Sequence, residues 1–241
     1  MLPDDHDAHE PDLMIRDFDL QHGGVRRILP LTLGVLIVFA LVRCGLLASS
    51  AAPNIRGVEP NVAYTIQATL TGDSLYPDPT APPFAITQYT PLYYIIVIEL
   101  SRALGLVPGV DVVAIYQVGR GISLVFAVAM ALSTFALLRT FGTGWLLAAF
   151  VLALALIVPI PWNILLRPDA LATGLGLSTI YLYSWHLWRA SRGLNARFDL
   201  FILFATGVCG FLAALTKQNF ALFLGLVLVF AGFRRRYAEL L

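Results

Sequence analysis

Four ionisable side chains stand at the ends of long apolar runs and could do chemistry there: Glu59, Arg167, Asp169 and Lys217, the only lysine in the chain. An ionisable group beside a hydrocarbon phase is costly, so each needs a partner, a cavity or an escape to water. A carboxylate within hydrogen-bond reach of a hydroxyl can take its proton as that oxygen attacks an electrophile. Guanidinium and ammonium groups can hold a phosphate anion. Simpler readings stand beside these. In Glu59-Pro60 and Pro168-Asp169 a proline suits the first position of a helix and the carboxylate its positive end. Arg167 and Lys217 have stems long enough to snorkel to an interface. Arg120, between Gly119 and Gly121, could pair with Glu99 or reach a lipid phosphate. Tyr89, Tyr93 and Tyr94 flank Pro91 and predict an aromatic strip at a membrane interface. His6, His9 and His22 lie among seven acids in the first 24 residues. They could ligate a metal, but so few apolar groups cannot offset the entropy of ordering, and the stretch reads as a disordered acidic tail. Cys44 and Cys209 sit inside apolar runs and fit neither a disulfide framework nor a zinc site. No metal and no cofactor is expected.

The elements that position these groups follow from composition. Of 241 residues, 58% are hydrophobic and 13% charged, against about 45–50% and about 25% in soluble domains. Mean hydropathy is +0.77. A soluble fold of this size could not bury so much apolar surface, so an all-α integral membrane protein in a lipid bilayer is expected. Net charge is +1 and no basic patch is visible, which excludes nucleic acid as a partner. Apolar runs near 20 residues long predict six transmembrane helices, over 28–48, 112–138, 144–165, 170–188, 200–215 and 220–233. A seventh run, 91–107, is short and carries Glu99 and Arg102. Were it to span, Arg189, Arg192 and Arg197 would face away from Arg26 and Arg27. Laid in the interface instead, it leaves those clusters, Arg139 and Arg234 to Arg236 all on the cytoplasmic side, where basic residues concentrate. The expected arrangement has a tail over 1–27, both termini cytoplasmic, and a long first outer loop, 49–111, with two interfacial helices over 60–70 and 91–106. Trp145, Trp162, Trp185 and Trp188 fall near span ends. Glu59, Arg167, Asp169 and Lys217 fall on the outer side.

The outer loop reads VEPNVAYTIQATLTGDSLYPDPTAPPFAITQYTPLYYII. An acid after the first span, a short amphipathic helix, then G-x-x-x-Y-x-D and Y-x-P-L-Y-Y come in sequence. Arg167-Pro168-Asp169 opens the fourth span and Thr216-Lys217-Gln218 closes the fifth. Together these pieces, spread over residues 28–233, resemble the GT-C glycosyltransferases. The nearest branch is that of protein mannosyltransferases, aminoarabinose transferases and related bacterial lipid-linked sugar transferases. No single piece is specific; their order and membrane side carry the likeness. It implies a GT-C-like transmembrane domain over 28–241. The activity it implies is transfer of sugar from a polyprenyl-phosphate donor to an acceptor on the outer face of the cytoplasmic membrane, with inversion and without a metal. By the same resemblance Glu59 is the base and Asp169 a second acid facing the same cavity. Arg167 and Lys217 hold the lipid phosphate, and Tyr89, Tyr93 and Arg120 contribute to substrate binding. The family has an acidic pair where Val58-Glu59-Pro60 offers one acid, and it continues through several more spans, so a truncated or split version is an alternative. The other class is a non-catalytic polytopic protein: transporter-like, an assembly subunit with a membrane-protein partner, or an inactive fragment. No internal repeat of the kind that marks transporters is evident. On the enzyme reading, Glu59, Arg167, Asp169 and Lys217 line one outward-open cavity rimmed by Tyr93, and Glu59→Gln abolishes transfer while the protein still inserts.

Overall fold

Helix periodicity is visible in the residues each segment turns inward. The computed structural model describes residues 23–50, 58–82, 86–157, 165–193 and 196–233. Among them helices are the only regular structure: α1 (Gly23–Ser49), α2 (Glu59–Leu70), α3 (Leu92–Ala103), α4 (Val112–Thr140), α5 (Trp145–Ile157), α6 (Asp169–Ala190), α7 (Ala196–Thr216) and α8 (Ala221–Phe233), the last preceded by a single 3-10 turn, Gln218–Phe220. The histidines of the N-terminal tail, Trp162 and the arginines at 234–236 lie outside the described residues.

Among the described residues, three helices are long and apolar enough to cross a membrane: Pro30–Ser49, Val112–Thr140 and Arg197–Thr216; Trp145–Ala155 and Gln218–Phe233 are shorter apolar helices. Their outward faces carry large bare side chains, among them Leu31, Val38, Leu132, Phe204 and Leu222, on a scale that water-soluble monomers do not expose. This is a helical, membrane-associated protein. The helix over the expected fourth span, α6, does not reach that apolarity. Its buried residues include Gly174, Gly176, Thr179, Tyr183 and His186, and it packs against α4 on one side and α7 on the other. Protein, not lipid, covers its polar stripe, so the helix needs less hydrophobicity than its neighbours. Small residues let the backbones approach, as in other helix pairs that pack without a hydrophobic driving force. A methyl group added at Gly176 would lie 2.8 Å from the Phe223 ring of α8.

The two helices of the first loop cover one end of this bundle. In α2, Glu59, Val62, Ala63 and Ile66 are buried, the i, i+3, i+4, i+7 stripe of a surface helix. In α3 the buried set is Tyr93, Tyr94, Val97, Ile98 and Ser101. Both stripes meet Ile115 of α4 and Leu166 and Leu171 around the start of α6 in one core cluster. The outer side of α3 keeps the Glu99–Arg102 ion pair, 2.6 Å long and exposed. Twelve residues rise only about 18 Å, short of the ~30 Å hydrocarbon core, so α3 cannot cross alone.

Candidate functional site

Glu59 opens α2, but its carboxylate does not cap the helix. It turns inward to Arg120 of α4 in a fork-to-fork pair: Arg120 Nε donates to Oε1 at 2.8 Å and Nη2 to Oε2 at 2.9 Å. The amide of Leu166 donates to the same Oε1 at 2.8 Å. Arg120 also serves the end of α1, giving Nη1 hydrogen bonds to the carbonyls of Leu47 and Ser50. These are orphan carbonyls at a helix C-terminus, where a cation also meets the negative end of the dipole. The guanidinium further lies 5.6 Å from the centre of the Tyr116 ring. Glu59 and Arg120 are 0% and 2% exposed. Two charges buried together are tolerable only with such complete hydrogen bonding.

The Leu166 amide belongs to the turn between 165 and 168, from which Arg167 and Asp169 issue. Ser123 pins this turn from the other side, its Oγ 2.8 Å from the Leu165 carbonyl oxygen and 3.2 Å from that of Arg167. The Tyr93 hydroxyl donates to the Gly119 carbonyl at 3.0 Å and lies 3.2 Å from Ser123 Oγ. Burial pushes the Tyr93 phenol well above its ordinary value, so it stays a neutral donor. Gly119 is needed for this packing, because a Cβ there would overlap the Leu166 side chain.

Beyond the turn stands a second ionic cluster, and this one is partly open. Pro168 precedes α6 as its N-cap and Asp169 is the first helical residue. One oxygen of Asp169 lies 2.7 Å from Lys217 Nζ and the other 3.0 Å from Arg167 Nε. Asp169 and Lys217 side chains are 20% and 22% exposed. Lys217 sits in extended backbone between α7 and the 3-10 turn. Its ammonium group lies 5.4 Å from the centre of the Tyr89 ring, within cation–π range. The loop carrying Tyr89 is held there by Thr90 Oγ1 donating to the Ala214 carbonyl at 3.1 Å, and by Tyr76 Oη donating to the Tyr89 carbonyl at 2.9 Å. Two cations, one carboxylate and an aromatic face leave a net positive, half-buried patch. Such a patch can accept an anion with two or more oxygens, phosphate above all.

The structure thus brings Arg167, Asp169, Lys217 and Tyr89 together, and places Glu59 directly behind them rather than beside them. The expectation of one cavity shared by Glu59 and Lys217 is not met: Glu59 is fully enclosed, one residue's backbone away from the patch. Arg120 also departs from its expected role. Its partner is Glu59, not Glu99, which pairs with Arg102, and its buried guanidinium does not reach a lipid. Tyr93 is a core residue, not a rim, because its inward stripe position buries it completely. Neither Ser123 nor the Leu166 amide is marked by charge or motif in the sequence. The signal available was the spacing Gly119, Arg120, Ser123, Ala127, which marks one inward helix face. A cleft beside α2, lined by residues such as Tyr64, Gln67 and Asp73, reaches Tyr116 but none of Arg167, Asp169 and Lys217. Comparison of the chain with protein-family models, with curated proteins and with solved structures finds no match.

Proposed function

We propose that this chain is a membrane glycosyltransferase that takes its sugar from a polyprenyl phosphate on the outer face of the cytoplasmic membrane. The observation that carries the reading is the half-buried Arg167–Asp169–Lys217 cluster under the Tyr89 ring. In the proposed topology α1, α4, α5, α6, α7 and α8 cross the bilayer, α2 and α3 lie in the outer interface, and both termini are cytoplasmic. The length of α6 supports it. Asp169 at one end and Arg189 at the other are twenty residues apart, about 30 Å along a helix, which matches the hydrocarbon thickness.

In the reaction, Arg167 and Lys217 exchange the Asp169 carboxylate for oxygens of the donor phosphate. The released carboxylate accepts the proton of the acceptor hydroxyl as that oxygen bonds to the sugar C1. The C1–oxygen bond to phosphate breaks from the opposite face and the electron pair leaves with the polyprenyl phosphate, so C1 is inverted. The two cations stabilise the charge that develops on the leaving group. Glu59 acts as a positioning residue through the Leu166 amide, since its own oxygens are engaged by Arg120 and that amide.

The test is sugar transfer by the protein in liposomes supplied with labelled polyprenyl-phosphate sugars. Asp169→Asn is expected to lower turnover by about 10²–10⁴, and Lys217→Gln to raise KM for the donor more than it lowers kcat. Absence of both transfer and donor binding would leave the second reading, a non-catalytic membrane protein. What favours that reading is the first-loop acid, locked in a structural ion pair.

A further inference from the structure

At the far end of α6 from Asp169, two cavities meet. The larger, of about 580 Å³, is almost wholly apolar and lies between Phe141 at the end of α4, Ile180 and Leu187 of α6, and Val227 and Phe230 of α8. Thr140 and Trp188 line it and also line the second, more polar cleft, to which Arg139 contributes. Arg192 lies 4.1 Å from the centre of the Trp188 ring, a residue that both cavities share. Arg139 and Arg192 are exposed, and Arg139 donates a hydrogen bond to the Thr143 carbonyl. Among the described residues, Asp199 stands at this end and is taken by Arg189 at 2.9 Å. An apolar chamber therefore opens beside two exposed guanidinium groups and a tryptophan, at the depth where headgroups meet hydrocarbon.

We propose that this is a binding site for an anionic phospholipid of the arginine-rich leaflet. One acyl chain enters the chamber between α4, α6 and α8. The phosphate lies between Arg139 and Arg192, with Trp188 at the level of the glycerol. Charge complementarity selects this occupant: a zwitterionic lipid brings an ammonium group that the two arginines repel. The inference is independent of sugar transfer and requires only that α6 and α8 stand in a bilayer.

The experiment is native mass spectrometry of the protein from neutral detergent, loaded with an equimolar mixture of phosphatidylglycerol and phosphatidylcholine. The wild type is expected to retain one phosphatidylglycerol in clear preference. In Arg139→Gln/Arg192→Gln that preference should fall about fivefold per arginine, the effect of one basic side chain near an anionic surface. Both residues are exposed, so an unchanged helical circular dichroism spectrum is the folding control. Ser184→Phe, which fills the chamber, should reduce retention of both lipids. Equal retention of the two lipids by the wild type, an unchanged preference in the arginine variant, or a lipid-free dimer through this face would each overturn the proposal.

Discussion

Replacing Glu59 with glutamine changes one atom, and the structure assigns it a large penalty. The amide keeps one acceptor for the Leu166 N–H, but its NH₂ group must then face Arg120 Nη2, donor against donor, at a contact now 2.9 Å long. The guanidinium is 2% exposed and loses the carboxylate it is forked against. Removing one partner of a buried pair costs about 3–5 kcal/mol, because the remaining charge stays unpaired away from water. Arg120→Met should cost a similar amount for the mirror-image reason. The double variant Glu59→Leu/Arg120→Met buries no charge and should recover most of the loss. What remains is mainly the orphaned Leu166 amide, about 1–3 kcal/mol. The assay is reversible unfolding in mixed micelles with rising dodecyl sulfate, followed by far-ultraviolet circular dichroism. A Glu59→Gln variant within ~0.5 kcal/mol of wild type, the range of an ordinary surface substitution, would refute the reasoning. With lost activity as well, it would return Glu59 to the role of base that the sequence suggested.

The remaining predictions concern topology, packing and the loop. A cysteine at Ala81 should react with an impermeant thiol reagent from outside the cell and one at Ser191 only after permeabilisation; the opposite pattern inverts the proposed arrangement. Gly176→Ala forces the Phe223 ring to move from its 2.8 Å contact and should cost about 1–3 kcal/mol, as overpacking does; an unchanged unfolding midpoint would mean that α6 and α8 are not tightly seated. Hydrogen bonds from the Thr80 hydroxyl and amide hold the Asp78 carboxyl below its ordinary value of 3.8. A lowered carboxylate stabilises its turn above the ordinary range and loses that contribution only as pH falls through the lowered value. The Asp78 carboxyl carbon resonance should therefore titrate below pH 3.8, and a midpoint above that refutes the turn.

Helix positions were legible because apolar periodicity is local. The run at 112–138 became Val112–Thr140, that at 200–215 became Ala196–Thr216, and the two loop helices fell within a few residues of Glu59–Leu70 and Leu92–Ala103. Pairing was much less legible. Glu59 and Arg120 are 61 positions apart, and nothing in the flanking residues says that the end of α1 comes close enough for one arginine to serve both. The i, i+3 spacing of Glu99 and Arg102 favours their pairing with each other, since adjacent turns of a helix satisfy such a pair first. Tyr93 illustrates the same limit. An aromatic near a proline at a span end suits an interface, and only the packing of α2 against α3 decides that this one faces inward. The Arg167–Asp169–Lys217 grouping lay between these extremes: its members were singled out by charge, but the 48-residue link from Asp169 to Lys217 depends on α6 and α7 being antiparallel neighbours.

The polar stripe of α6 has a consequence for how the protein is made. A helix carrying glycine, threonine, tyrosine and histidine on its inner face gains little by entering lipid alone, so in the proposed topology it has to be stabilised during biogenesis by something other than its own hydrophobicity. Its successor α7 qualifies by length and apolarity, and the Arg189–Asp199 bridge joins the two across their connecting turn. The pair can therefore enter the bilayer as one hairpin, with α7 drawing α6 in behind the already seated α4. Translation of α7 would then commit α6 to its transmembrane position, and a ribosome stalled before residue 216 would leave α6 accessible to quality-control proteases at the membrane surface.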